Sequence, residues 1–454
     1  MSKKVLINDF TSGNIPKQLL SFSFPFMLSN ALQVLYSWVD MIIVGKYVGS
    51  EGLSAVSTAS QLFVFMTMLC VGFSNGAEVI ISQQIGANLR ERLSRTIGTF
   101  ISILTIISFI MTFVGLTFGK DILHLLNTPD RAYNYAWDYI FVCSIGVFFS
   151  YGYNAVAAIL KGMGNSRLPF VFILIASVLN IVLDLVFIKN LGLAVQGAAL
   201  ATIIGQAVAF LLSVLYLYIK RHSLGFDLKP KHFRIDKESA RLIFHLGVPF
   251  ATQSCTINIS MMFVNSLVNQ YDIFASAAFG VGIKIDDMVN KVTQGMAFAT
   301  SNMCAQNVAA KEYNRTRKIV WTTLGYNSIL YIIFVVLILK YSNEWYSVFT
   351  DDPEIIGLSQ TFAKAIVWGT PAMTIMRGSN SCMRGIGNAK LSLILALVDG
   401  VFLRIALSYL LGTVCGMGLF GFFLGYSLAP YGTAIPGLIY FISGKWESFK
   451  LLKD

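Results

Sequence analysis

The sequence predicts an all-α integral membrane protein, with twelve transmembrane helices in two parallel six-helix repeats, an N-lobe and a C-lobe, facing a central cleft. Three observations lead there. Of 454 residues, 55% are hydrophobic and 13% charged, with a mean hydropathy of +0.66, whereas soluble domains carry roughly 25% charged residues. The apolar residues fall into runs long enough to cross a bilayer, which takes about 20 residues. The chain also repeats itself. Lys161-Gly162-Met163-Gly164-Asn165 is answered by Arg384-Gly385-Ile386-Gly387-Asn388, Phe24-Pro25-Phe26 by Val248-Pro249-Phe250, and Ser82-Gln83-Gln84 by Ala305-Gln306-Asn307. Self-similarity over so long a period in an apolar chain indicates a duplicated bundle, an arrangement common among secondary transporters.

Span one (18–44) follows Lys3, Lys4 and Lys17. It is too long for a signal-peptide core and lacks a small-residue cleavage site, so it stays in the mature chain. Span two covers 54–80, and span three (96–118) follows Arg90, Arg92 and Arg95. Span four (134–159) begins near Tyr139 and runs into the first Gly motif. Spans five (168–188) and six (194–219) complete the N-lobe, 1–219. The polar stretch 220–241, rich in Lys, Arg and His, reads as a basic cytoplasmic linker, and 242–454 as the C-lobe. There the spans are 242–268, 276–299, 318–339, 359–382, 391–412 and 417–442. Six spans per half restore the starting orientation, so the repeats are parallel, related by an axis along the membrane normal. Pro25 and Pro249 occupy equivalent places in spans one and seven, and Pro371, Pro430 and Pro436 interrupt spans ten and twelve. Each removes a backbone hydrogen bond, and Pro25 is a candidate hinge.

The formal charge of +11 is explained by topology. With both termini cytoplasmic, the outside keeps only Lys46, Lys120, Arg131, Lys189 and Lys340 of the 34 Lys and Arg residues assigned to loops and span ends or buried in spans. That is a strong positive-inside bias, and it needs no nucleic-acid partner. Cys70, Cys143, Cys255, Cys304, Cys382 and Cys415 lie singly within or just beyond spans and read as packing residues. His124, His222, His232 and His245 are equally dispersed.

Ionisable residues inside a membrane are costly, so each is a candidate for function. Asp40 lies near the outer end of span one and Asp184 near that of span five, with Asn180 one turn from Asp184. Ala198 and Thr202 share a face of span six. At 1.5 Å per residue, the acids sit roughly 7–8 Å inside the outer boundary, and Ala198, Thr202 and Tyr139 roughly 6–12 Å. Neighbouring helices would bring these groups to one layer. Two carboxylates with amide and hydroxyl oxygens suit a hard monovalent cation or a shared proton. The alternative reading of Asp40 and Asp184 is as interfacial acids near the headgroups.

Leu35-Tyr36-Ser37-Trp38-Val39-Asp40-Met41-Ile42-Ile43-Val44-Gly45, the segment Gln83-Gln84-Ile85-Gly86-Ala87 and the doubled Lys/Arg-Gly-Met/Ile-Gly-Asn resemble the multidrug and toxic compound extrusion (MATE) family over essentially the whole chain. The resemblance implies an N-lobe cation site made by Asp40, Asn180, Asp184 and Thr202, which would be the metal ligands if the ion is Na⁺, with the Ala198 carbonyl and Tyr139 in support. The NorM-like branch also carries acids in helices seven and ten. Spans seven and ten here have none, with Ile257 and Asn258 at the relevant place in span seven, so the chain looks closer to the N-lobe-site, DinF-like type.

The second half has other charges: Lys284, Asp286, Asp287 and Lys291 in span eight, Lys364 and Arg377 in span ten, Asp399 and Arg404 in span eleven. Asp287 and Lys291, at i and i+4, read as an internal ion pair. The sharper alternative is a second proton- or substrate-handling network made by Asp286, Asp287, Lys291, Asp399 and Arg404. Met and aromatic residues suit bulky cationic compounds through adaptable apolar surface and cation–π contacts.

The function these features favour is secondary multidrug export: Na⁺ or H⁺ moves inward and organic, mostly cationic or amphipathic compounds move outward by alternating access. The protein is expected to be a monomer in a bacterial plasma membrane, surrounded by lipid and without a cofactor other than the coupling ion. A lipid-linked precursor flippase of similar fold is the alternative, its cavity drawing on Lys284, Lys291, Arg377 and Arg404. An enzyme is disfavoured, since the sequence has no Gly-x-Ser-x-Gly elbow, no Walker A loop and no His/Asp metal cluster.

Overall fold

Hydrocarbon leaves a backbone no water to bond, so a chain this apolar must satisfy its amides within each segment as helix. The computed structural model describes residues 8–126, 128–220, 233–270 and 273–452. Twelve long helices follow one another there: α1 (Ile15–Tyr47), α2 (Ser50–Gly86), α3 (Arg90–Leu125), α4 (Asp130–Gly162), α5 (Arg167–Asn190) and α6 (Ala194–Lys220). Then come α7 (Lys237–Asn269), α8 (Ile273–Ala309), α9 (Tyr313–Ser347), α10 (Ser359–Ile386), α11 (Ala389–Val414) and α12, which runs as Gly418–Leu428 and Tyr431–Ile442 on either side of Pro430. A single turn at Pro353–Gly357 precedes α10. Of the expected linker 220–241, residues 221–232 lie outside the described residues, as do Lys3 and Lys4.

Eight of these helices, α1 to α6, α9 and α11, are long and apolar enough to cross a membrane by length and composition. The others are more polar or interrupted. α8 carries Lys284, Asp286, Asp287 and Lys291 within one stretch, and α12 is divided at Pro430.

The duplicated Gly motif has the same structural role in both places. A Cβ on Gly162 would meet the Glu78 carbonyl of α2, and one on Gly385 the Ser301 carbonyl of α8. The first glycine of each motif therefore lets α4 lie on α2, and α10 on α8, backbone to backbone. The second glycine reverses the chain at positive φ, 81° at Gly164 and 88° at Gly387, where a side chain is disfavoured. The Asn that follows caps the next helix, with Asn165 Oδ1 accepting from the Leu168 N–H and Asn388 Oδ1 from the Leu391 N–H, each at 3.2 Å. Positive φ recurs in pairs elsewhere too, at Asn88 and Lys311, Gly192 and Gly416, and Ala194 and Gly418. The duplication thus extends to turn geometry where the residue types have diverged.

The chain divides into two compact units: 8–9 with Leu28–Ala251, and Phe10–Met27 with Thr252–452. These differ from the expected halves at two places, and the reason is local packing. The start of α1 belongs to the second unit. Phe10, Leu19, Phe22 and Phe26 are buried with Met296, Met303 and Ile319, Arg315 donates to the carbonyls of Phe10, Ser12 and Gly13, and Met27 lies against Gly295 of α8. The start of α7 belongs to the first unit. Ala251 lies against Gly72 of α2, Gly247 against Gly76 and Phe73, and Phe244 stacks edge-on against Phe73 at 5.2 Å. In both helices the change of unit comes just beyond the proline, Pro25 in α1 and Pro249 in α7.

Filling the α10 contact is expected to be costly while an open glycine is neutral. Gly385→Val should destabilise the detergent-purified protein by about 1–3 kcal/mol through overpacking, lowering its melting temperature. Gly325→Ala, where a Cβ meets nothing within 4 Å, should leave it unchanged or slightly raised. Equal melting temperatures for the two variants would contradict the close-approach role.

Candidate functional site

In the first unit, α1, α5 and α6 each offer a polar stripe at helical spacing: Tyr36 and Asp40, then Ser177, Asn180 and Asp184, then Ala198, Thr202 and Gln206. The structure brings these stripes together. Asn180, 4% exposed, is the link between them. With its amide oriented so that both ends are satisfied, Nδ2 donates to Asp40 Oδ1 at 3.0 Å and Oδ1 accepts from the Thr202 N–H at 3.2 Å. The Thr202 hydroxyl lies 3.4 Å from the same amide. A Cβ on Gly205 would meet the Ala176 carbonyl, so this glycine lets α6 approach α5 closely enough for the Asn180 bridge to form. Tyr139 of α4 is buried, in contact with the Ser60 hydroxyl of α2, and close to Cys143, Asp40 and Tyr36. Ala198 is buried one turn from Thr202.

Asp184 is the unusual member. Its side chain has no exposure, and neither carboxylate oxygen has a hydrogen-bond donor among the described residues. Its neighbour is the Asp40 carboxyl, and the two bond to each other once one carries a proton. A buried carboxylate without donors costs far more than a buried neutral group, so the pair requires either that proton or a cation. The oxygens at hand come from two carboxyls and a hydroxyl, with the Asn180 amide oxygen joining them when that amide turns its Nδ2 away from Asp40. They fit a hard monovalent cation, while no group of three or more His, Cys, Asp or Glu residues suited to a metal occurs among the described residues. Next to it lies a cavity of about 10 Å³ lined by Tyr36, Ser177, Asn180, Thr202 and Gln206, near the size that holds one water molecule. The Ser177 hydroxyl and the Gln206 carbonyl oxygen are buried there without partners.

Sequence reasoning missed Tyr36, Ser60, Ser177 and Gln206. Tyr36 precedes Asp40 by one turn, and Gln206 follows Thr202 by one turn, so the same spacing argument reaches both. Nothing in the sequence points to Ser60, which reaches Tyr139 only through tertiary packing.

The second unit holds a different polar cluster. Asp286, 3% exposed, accepts from the Tyr426 hydroxyl at 2.8 Å and from Asn290 Nδ2 at 2.8 Å, both on Oδ2. Asn290 Oδ1 in turn accepts from Arg377 at 3.1 Å. Arg404 donates to Asp399 Oδ1 at 3.0 Å, and its guanidinium lies 4.9 Å from the centre of the Tyr426 ring. The pair is buried on both sides. Of the five residues expected in this network, Asp286, Asp399 and Arg404 join one cluster, Lys291 is half-buried, and Asp287 is exposed. The buried ion pair is therefore Asp399–Arg404, spaced i, i+5. That spacing shares a face because Val398–Arg404 is π-helical, a wider turn that an α-helical pattern search passes over. Tyr426 and Asn290 carry no charge and gave no sequence signal.

The sequence model of the MatE family matches residues 25–186 and 249–410, one copy in each half. The chain is 29% identical over 447 residues to a protein named "Probable multidrug resistance protein YpnP" of Bacillus subtilis, covering 98% of this chain and 99% of that one. It is 22% identical to the multidrug export protein MepA of Staphylococcus haemolyticus, covering 90% and 89%. Among solved structures, a MOP-superfamily transporter from Pyrococcus furiosus superposes with a TM-score of 0.91 at 23% identity over 96% of each chain. An outward-facing multidrug resistance MATE transporter gives 0.90 at 23% over 98% of each. At this identity the structures speak to fold alone.

Arg404→Met should leave Asp399 buried and uncompensated, costing about 3–5 kcal/mol and lowering the melting temperature well below wild type. The double variant Asp399→Leu, Arg404→Met should recover most of that loss. Additive losses in a thermal double-mutant cycle would show that the two side chains do not act as a pair.

Proposed function

The chain belongs to the MatE family, and we propose that it is a secondary multidrug exporter of the N-lobe-site, DinF-like type, driven by inward movement of Na⁺ or H⁺. The observation that carries this reading is Asp184, a fully buried carboxyl without a donor beside a second carboxyl. Such a group is balanced by a mobile cation or proton, and so it links occupancy to conformation. An ion that binds one conformation better than another shifts the equilibrium by its differential affinity. Substrate and ion must then oppose each other by the same factor in both directions. In this reading Asp40 and Asp184 share the charge, Asn180 and Thr202 complete the oxygen shell, and Tyr139 and Ala198 fix the surrounding face.

Several features support the wider account. Relatives of similar length are named for multidrug resistance and export, which supports bulky organic compounds, mostly cations, as cargo. The excess of Lys and Arg on the linker side supports cytoplasmic termini in a plasma membrane. Pro25, just before the point where α1 passes from one compact unit to the other, supports a hinge in that helix. The protein works as a monomer, each chain holding a complete site.

The decisive experiment is efflux of ethidium from proteoliposomes under an imposed Na⁺ or proton gradient. Wild-type protein should extrude the dye with one of the two gradients. Asp40→Asn and Asp184→Asn should each abolish gradient-driven efflux while the protein remains folded by circular dichroism. Efflux that survives both substitutions would move coupling to the cluster around Asp286. Folded wild-type protein that moves no dye under either gradient would favour a lipid-linked substrate instead.

A further inference from the structure

An apolar space with no part in the coupling layer lies in the first unit, on the side of the bundle away from Asp40. It is a cavity of about 240 Å³ between α3 and α6, with α4 as its floor. Leu104, Phe148, Ala155, Phe210 and Leu217 line it, and Phe233, from the segment leading into α7, closes one end. Of the three hydroxyl-bearing residues that line it, Thr105, Ser108 and Tyr151, two have their hydroxyls engaged. The Ser108 hydroxyl donates to the Thr105 carbonyl at 2.7 Å, and the Tyr151 hydroxyl to the Met66 carbonyl at 2.6 Å. An ordered water needs two to four polar partners, and a lining this largely apolar fits an apolar occupant instead.

Position says which kind. Along α6, Leu217 is about 5 Å and Phe210 about 15 Å from Lys220 at 1.5 Å per residue. The cavity therefore runs from the linker-side end of the helices to about half the depth of a 30 Å hydrocarbon core, the reach of one leaflet. Its rim residues Val214 and Phe233 are partly exposed, next to the exposed Leu211, Leu215 and Tyr218, so the opening faces the same surface as other lipid-type side chains. Phe233 is held in place. Its carbonyl accepts from the Ser102 hydroxyl at 2.7 Å, and the Asp236 N–H donates to Thr99 Oγ1 at 3.0 Å. The mouth at that end is basic, with Arg95, Lys220 and Arg234 exposed there. Of the nearby acids, Glu238 pairs with Arg92 at 3.4 Å, and Asp236, which accepts from the Ser239 N–H at 2.8 Å, lies close to Arg95 and Arg92, which leaves Lys220 and Arg234 as the principal headgroup contacts.

We propose that this cavity is a binding site for an anionic phospholipid of the linker-side leaflet, with one acyl chain between α3 and α6 and the phosphate among Arg95, Lys220 and Arg234. The apolar lining recognises the chain and the basic rim selects the headgroup. The site is independent of the coupling layer.

The test uses the full-length protein in phosphatidylcholine bicelles with a trace of phosphatidylglycerol that carries a diazirine near the end of one acyl chain. Photolabelling should fall on 101–108, 148–156 or 210–217. Unlabelled phosphatidylglycerol should compete for it better than phosphatidylcholine, by about fivefold for each basic side chain engaged. Lys220→Gln and Arg234→Gln, both exposed positions, should each reduce that preference by about fivefold without changing melting temperature. Ala155→Phe should fill the cavity and remove the label, and if it does not fold, Val214→Trp at the rim provides the same block. Label spread evenly over lipid-facing helices would overturn the site. Equal competition by the two lipids, or undiminished label in a folded cavity-filled variant, would overturn it as well.

Discussion

An amide or carbonyl left bare in hydrocarbon costs several kcal/mol, and this one constraint governs how the chain can be built. It forces each crossing into helix, and it also limits how two helices can meet. With lipid as apolar as the helices themselves, burial of Leu and Phe gives no net drive to associate, and close backbone contact must supply it. The glycines of α2, α4, α8 and α10 supply that contact. Gly72 admits Ala251 and Gly295 admits Met27, while Gly162 and Gly385 rest on carbonyls of α2 and α8. The architecture of each unit is thus set at positions with no side chain.

The same contacts explain why α1 and α7 each serve both units. The first turns of α1 pack where Gly295 leaves space, and those of α7 where Gly72 and Gly76 do. Polar anchors reinforce both. Arg315 and Asn307 hold the backbone at Phe10, and Thr96 and Arg92 hold Ser239 and Glu238. Pro25 and Pro249 sit just before the transfer from one unit to the other. A helix missing one backbone hydrogen bond bends more readily there than elsewhere. Duplication has therefore placed a weak point at the same place in each half.

Most of this architecture is legible in the sequence, because composition and period fix the number of spans and the repeated Gly-x-Gly-Asn fixes their equivalence. The exchange of α1 and α7 is not legible. It depends on which small residue faces which partner, and nothing in a linear pattern orders those contacts. Asp40, Asn180, Asp184 and Thr202 are visible through helical spacing and depth, and the fold brings them together. The second-unit cluster is half visible. Its acids and arginines stand out as charges, but α-helical i, i+4 spacing points to Asp287 and Lys291 and offers Arg404 no partner. The π-helical turn puts the partner at five, at Asp399, and Tyr426 enters only when α12 folds back on α8.

The two buried clusters differ in whether their charges are complete. In the second unit Asp399 has a guanidinium, and Asp286 has a hydroxyl and an amide. Each negative charge there has donors that belong to the protein, and the ion pair is held whichever solute is present. In the first unit Asn180 serves Asp40, and Asp184 receives no donor from the described residues. Carboxylates served by the protein's own donors contribute rigidity, although Arg377 Nε and Arg404 Nε in the second-unit cluster are buried without a partner among the described residues. An unserved carboxylate contributes an energetic deficit that a small solute can remove. A transporter needs both kinds of site. The scaffold must stay intact while the ion leaves, and departure of the ion must change which conformation is favoured. The first property lies in one unit and the second in the other, and on that ground we propose Asp184 and Asp40, rather than the more heavily charged half of the chain, as the coupling site.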